Sequence, residues 1–197
     1  MQSNGGNATF QAAARKAVAT VLSGPAGGVT AGVNLARDLR QPNLITFDMG
    51  GTSCDVALIK DGEASHSNRT EVDGRVITVP MMDINTVSAG GGTIARVDAI
   101  GQLQVGPHSA GAVPGPACYG HGGTMPTVTD ANLLLGYLGK DNFLGGRMSL
   151  GVAQAREAMK NVVAEPLGMS VTDAAEGIVR IINVKMEEAI KAISTMR

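Results

Sequence analysis

The stretch FDMGGTSCD, residues 47–55, places an acid, two adjacent glycines, two hydroxyls, a thiol and a second acid between two apolar runs. Those runs, NLITF (43–47) and DVALIKDGEAS (55–65), read as strands, and so short a link between them leaves no room for a crossover helix. The strands are therefore antiparallel. The KDGE turn (60–63) folds the second strand back, and RVITVP (75–80) reads as a third strand, antiparallel to its neighbours. The link itself has two readings. A plain Gly-Gly hairpin turn accounts for the glycines alone. A turn that holds phosphate accounts for the acid and hydroxyls as well. Gly50 and Gly51 permit positive φ and carry no side chains, so successive N–H groups can converge on an anion, with Thr52 and Ser53 adding hydroxyl donors. Asp48, at the strand end, can hold Mg²⁺ through water or orient an attacking water, and Asp55 either serves the same neighbourhood or begins the next strand. Neither GxxxxGK[ST] nor GxGxxG occurs, which disfavours the Walker and dinucleotide folds.

On the N-terminal side, FQAAARKAVATVL favours helix, and SGPAGGVTAGVNLARDL continues as one, with Ser23 as cap, Pro25 early, and small residues that let another backbone approach. On the C-terminal side, residues 87–124 are dominated by Gly, Ala, Pro and Ser, and a loop-rich stretch of that length is usually functional, a linker or disordered, the linker reading being weakened by the lack of charge and of repetitive composition. Within it, SAGGGTIARVD (88–98) is a second glycine turn. Gly90, Gly91 and Gly92 imply close approach of backbone to a ligand or to another element, or a structural tight turn. IARVDAIGQLQV (94–105) reads as a hairpin. TVTDANLLLGYLG reads as a helix entered through Thr127 or Thr129, with Leu133, Leu134 and Leu138 on one face. A further helix runs from Ser149 to before Pro166. The last places Ala174, Ile178, Ile181, Val184, Ile190 and Ile193 at mostly three- and four-residue steps behind a Ser170/Asp173 capping box. That helix meets no glycine stop before Arg197, so the chain reads as a fragment ending in or near an element that continues elsewhere. The order implies an α/β or α+β fold with helices packed on a mixed sheet.

The chain has 197 residues, 44% of them hydrophobic, and suits one substantial core. A net charge of -1 marks neither a nucleic-acid partner nor an anionic membrane. There is no apolar run of about 20 residues and no signal-peptide pattern at MQSNGGNATF, and two cysteines without CxxC spacing suit a reducing cytoplasm. Cys118 and His121 could supply two metal ligands, but no further pair has matching spacing, and a buried Cys beside a loop His is the simpler reading. A catalytic Cys–His pair lacks an orienting third group. His66 reads as a solvated turn residue, and the Met81–Met82 pair as core filler.

Six stretches, TVLSGPAGGV (20–29), FDMGGTSCDVALI (47–59), VSAGGGTIARVD (87–98), VGPHSAGAVPGPACYG (105–120), PTVTDANLLLGYLG (126–139) and FLGGRMSL (143–150), in this order and spacing resemble the A component of the hydantoinase/oxoprolinase family. The resemblance covers essentially the whole chain. It implies an actin-like ATPase domain of ribonuclease H-like type, a mixed sheet with antiparallel strands flanked by helices, in which FDMGGTSCD is the second of two phosphate loops. The first loop is expected in a domain preceding Met1. The chain is then a single partial domain over 1–197, with entry helices at 1–40, a strand-rich phosphate-loop region at 41–110 and a loop and helical subdomain at 111–197. The implied cofactors are ATP and Mg²⁺, with Asp48 holding the metal through water and Gly50, Gly51, Thr52, Ser53, Gly90, Gly91 and Gly92 contacting the nucleotide. The implied activity is ATP-dependent opening of a cyclic amide, a hydantoin or 5-oxoproline, by phosphorylation of the amide carbonyl, with a second, B-type subunit as partner. The ATP-activating subunit of an acetone or acetophenone carboxylase is the alternative, and the isolated fragment is expected to be inactive. The family commonly carries DIHTVGAGGGS where this chain has DINTVSAGGGT (83–93). Asn85 stands where a His is frequent and Ser88 where a Gly is, and an amide takes up no proton at neutral pH.

Overall fold

The computed structural model describes residues 1–72 and 74–195. They form two compact units, one of residues 1–48, 55–86 and those from Ala189 on, the other of residues 49–54 and 87–188.

In the first unit, Thr9 caps α1 (Phe10–Arg15) by accepting the Ala12 N–H at 3.2 Å, and a 3₁₀ turn (Ala17–Thr20) leads to α2 (Ser23–Asp38). Ser23 is not the cap. The chain enters α2 through Leu22 at φ 62°, which makes Ser23 the first helical residue and takes its hydroxyl out of capping position. The small residues of α2 do admit close approach. A Cβ on Gly32 would lie 2.5 Å from Thr46 Cγ2 and 3.0 Å from Ile59 Cδ1. Ala26 and Val29 pack with Ala57 and Met82.

Strands β1 (Leu44–Met49), β2 (Cys54–Lys60) and β3 (Glu63–Ala64) lie in that order in a four-stranded sheet, and the later strand β8 (Asn85–Val87) also pairs with β2. β2 is nearly continuously buried, as its apolar run requires, whereas β1 is mostly exposed. Asp61 and Gly62, at φ 55° and 82°, make the primed turn that the DG pair specifies between β2 and β3. RVITVP does not join this sheet. Arg75–Ile77 (β6) pairs with Thr70–Val72 (β5) in a separate antiparallel ribbon, because the turn at Gly74 returns the chain onto its nearest neighbour at the least loop-closure cost. His66–Ser67 (β4) and Met81–Met82 (β7) form another such pair, and both methionines are buried as core filler.

In the second unit, β9 (Thr93–Val97) and β10 (Leu103–Ser109) form the expected hairpin, with a register shift between Val105 and Ser109. Thr127 caps α3 (Val128–Leu134) through a capping box with Asp130. Leu133 is buried with Cys118, Leu150 and Ala155, and Leu134 and Leu138 pack against them. The next helix, α4 (Val152–Met159), starts later than Ser149, whose hydroxyl is spent on Asp141, and it ends before Pro166 as expected, but helical turns continue past that proline. A π turn (Lys160–Ala164) intervenes, so Pro166 falls in the first turn of a new segment, α5 (Glu165–Leu167), where a missing N–H costs nothing. Gly168 at φ 63° stops it.

Helix α6 covers Val171–Ser194 behind the Ser170/Asp173 box, where Asp173 N–H donates to Ser170 Oγ at 3.1 Å. The expected run to Arg197 concerns residues 196 and 197, which lie outside the described residues. The inward row is Ala174, Ile178, Ile182 and Ile193, while Val184 is exposed. Lys185 explains the change of phase: it takes an inward position and donates its ammonium to the Val105 carbonyl at 2.6 Å, a placement that a count of apolar residues overlooks. Among the described residues no helix is long and apolar enough to cross a membrane.

Candidate functional site

Residues 50–53 link β1 to β2 and lie in the second unit. The Gly50 N–H donates to the Ser53 carbonyl at 2.9 Å, which closes the link on itself. The link's carbonyls face the second glycine turn: Gly91 N–H donates to Gly50 O at 3.0 Å and Gly92 N–H to Gly51 O at 2.6 Å. Among the described residues the amides of Gly51, Thr52 and Ser53 have no acceptor, Gly51 and Thr52 are exposed, and no atom lies within 4 Å of where a Gly51 side chain would begin. Neither Gly50 nor Gly51 adopts a positive φ, so the conformational reason that the sequence offered for glycine there does not apply.

The three later glycines are required by contact. A Cβ on Gly90 would stand 2.5 Å from Thr52 N and 2.6 Å from Gly51 C, one on Gly91 2.8 Å from Thr129 Oγ1, and one on Gly92 2.9 Å from Gly51 O. Of the readings open in the sequence, close approach to another backbone element is the one the geometry displays. The sequence did not single out Ser109, whose hydroxyl lies 3.3 Å from Thr52 Oγ1. The register shift in β10 brings it there, as bulges commonly re-aim a side chain. The only local signal was its place in VGPHSAG.

This donor set fits phosphate. Unspent adjacent amides can replace water around an anion without breaking a protein hydrogen bond, and the Thr52 and Ser109 hydroxyls can add to them at the cost of the one bond between the two.

Asp48 belongs to the first unit. It is exposed and lines a cavity of 230 Å³ with Pro25, Gly28, Thr46, Phe47 and Asp55. Asp55 accepts the Thr86 hydroxyl at 2.6 Å. No group of three or more His, Cys, Asp or Glu among the described residues is placed to hold a metal. Two carboxylates on one cavity do fit Mg²⁺, which keeps several waters and binds through one or two protein carboxylates.

Cys118 and His121 belong to no group of three or more His, Cys, Asp or Glu placed to hold a metal among the described residues. Cys118 is buried, and burial, reinforced by the nearby Asp130 carboxylate, raises its thiol well above the ordinary range. His121 is exposed and meets Tyr119 edge-on at 6.4 Å. A thiol that stays protonated is a poor nucleophile and a poor ligand. Iodoacetamide at pH 8 is therefore expected to leave Cys118 unmodified in the native full-length protein and to modify it fully on unfolding. Peptide mass spectrometry checks this, and rapid native labelling would contradict it. Asn85, where an imidazole was a frequent alternative, donates its amide to the Ala189 carbonyl at 3.1 Å, a tether that needs no titratable group.

The hydantoinase/oxoprolinase family model matches residues 1–197. The chain is 47% identical over 196 residues to caprolactamase subunit alpha of Pseudomonas jessenii, covering 100% of this chain and 28% of that protein. It is 40% identical over 215 residues to 5-oxoprolinase 1 of Arabidopsis thaliana, covering 100% of this chain and 16% of that protein. Among solved structures, nucleotide-free acetone carboxylase, from a study of ATP-dependent acetone carboxylation, superposes with a TM-score of 0.91 at 34% identity over 99% of this chain and 27% of that one. The chain thus spans less than a third of the length of each of these proteins.

Proposed function

This chain belongs to the hydantoinase/oxoprolinase family, and from that premise we propose that it carries a phosphate-holding turn of an ATP-dependent enzyme that opens a cyclic amide such as a hydantoin or 5-oxoproline. The observation that carries this reading is the set of unspent amides at Gly51, Thr52 and Ser53, held open by the glycine turn at 90–92. The proposed setting is an actin-like, ribonuclease H-like nucleotide domain, working beside a second subunit. Relatives that are themselves named as subunits support the partner.

ATP, when bound, supplies the phosphoryl group that turns an amide oxygen into a leaving group. The three amides and the Thr52 hydroxyl bind phosphate oxygens, and Ser109 adds a second hydroxyl beside Thr52. Gly90, Gly91 and Gly92 hold the turn from behind. Asp48 is acceptor-only when ionised, and it holds Mg²⁺ through water or orients a water for attack.

Titration calorimetry of the full-length protein with a non-hydrolysable ATP analogue tests the reading. Thr52→Ala is expected to raise Kd about tenfold or more, the loss of a charge-assisted hydrogen bond, and Ser109→Ala by a smaller factor. An unchanged Kd in Thr52→Ala would remove the turn from the nucleotide site.

A carboxylase subunit is the second reading, favoured by the close superposition on acetone carboxylase. Caprolactamase subunit alpha, at 47% identity, supports ring opening, and acetophenone carboxylase gamma subunit, at 43%, supports the carboxylase. ATP consumption measured with hydantoin, with 5-oxoproline, and with a ketone plus bicarbonate separates the two.

A further inference from the structure

Asp130 is completely buried in the second unit, and both its oxygens are committed. Oδ2 accepts the Thr127 N–H (2.9 Å), the Thr127 hydroxyl (2.8 Å) and the Ala117 N–H (3.2 Å), and Oδ1 accepts the Cys118 N–H (2.8 Å). Four donors on one carboxylate fix the first turn of α3 to the segment around Cys118. Thr129 sits in that turn, and both its N–H (2.8 Å) and its hydroxyl (2.9 Å) donate to one acceptor, the Gly91 carbonyl. The peptide between Gly91 and Gly92 is thus held by its oxygen, while its N–H, that of Gly92, holds Gly51 O at 2.6 Å. A helix cap needs only one of these donors. The second, from a side chain, fixes the plane of a peptide that carries the 50–53 turn.

We propose that Thr129, seated by Asp130, is a positioning residue for the 50–53 turn, acting through the Gly91 carbonyl to set the geometry in which the turn's amides meet phosphate. The proposal rests on the phosphate reading of that turn. Thr129 itself touches no ligand. Removing its hydroxyl leaves its N–H bond in place, so the unit still folds while the Gly91 peptide gains freedom to tilt.

The test uses the full-length protein with Thr129→Val, which keeps the shape without the hydroxyl, Thr129→Ser, which keeps the hydroxyl, and Thr52→Ala. Two quantities are read: hydrogen exchange of the Gly91 and Gly92 amides without nucleotide, and Kd for a non-hydrolysable ATP analogue. Thr129→Val is expected to speed exchange and raise Kd, each about fivefold, as for the loss of one ordinary hydrogen bond, and Thr129→Ser to restore both to within about twofold. Unchanged exchange in Thr129→Val overturns the positioning role. Faster exchange with unchanged Kd, while Thr52→Ala weakens binding, overturns the link from position to affinity. Unchanged Kd in Thr52→Ala overturns the phosphate reading, and this inference with it.

Discussion

Replacing Asp48 with alanine in the full-length protein is expected to lower ATP-dependent turnover by about a hundredfold or more and to leave the melting temperature within a degree or two of wild type. The two halves of this expectation have one origin. The side chain is exposed, so its removal opens no cavity and strands no buried partner. It lines a 230 Å³ cavity with Asp55, and in the proposed function its contribution is the negative charge of its carboxylate. Asp48→Asn keeps size and one acceptor oxygen but loses the charge, and it is expected to fall between wild type and alanine. Steady-state turnover and a thermal melt on the same samples decide the matter. Wild-type turnover in Asp48→Ala would free this residue from any part in the chemistry, whereas a lost melting transition would make the effect structural.

Gly90→Ala is expected to have the largest effect on stability. A methyl group there would stand 2.5 Å from Thr52 N and 2.6 Å from the carbonyl carbons of Gly51 and Thr52, and backbone atoms cannot rotate aside as a side chain can. Overpacking of this kind costs roughly 1–3 kcal/mol. Any relief must displace the 50–53 turn, so nucleotide affinity is expected to fall with the melting temperature. Gly51→Ala is the informative contrast. Nothing lies within 4 Å of its added methyl, so the melting temperature is expected to hold while the methyl crowds the exposed amides and weakens binding. Wild-type melting and affinity in Gly90→Ala would contradict the contact geometry between the two glycine turns.

What the sequence made legible was mostly local. The Asp61–Gly62 turn, the boxes at Thr127/Asp130 and Ser170/Asp173, and the 93–109 hairpin each follow from residues a few positions apart. The hydrophobic row of α6 was legible in period but not in phase, because Lys185 occupies an inward position by giving its ammonium to a carbonyl 80 residues away. Pro166 marked the end of α4 but not of the helical turns, because a π turn reset the helix before it. The composition of the candidate turn was visible, but its mounting was not. That Gly90, Gly91 and Gly92 lie behind residues 50–53, and that a shifted register delivers Ser109 to Thr52, depend on contacts between distant segments, for which a pattern of residue types has no short-range signature.

The turn at 50–53 also sets a rule for anyone wishing to move it. Cut out with β1 and β2 and grafted onto another sheet, the four residues would keep the internal Gly50–Ser53 bond but lose both donors to their carbonyls. The portable unit is discontinuous: the turn, the glycines at 90–92, and the Thr127–Asp130 start of α3, three pieces spaced some forty residues apart along the chain. A scaffold that accepted only the first piece would receive a hairpin bend without the two segments that hold it in place.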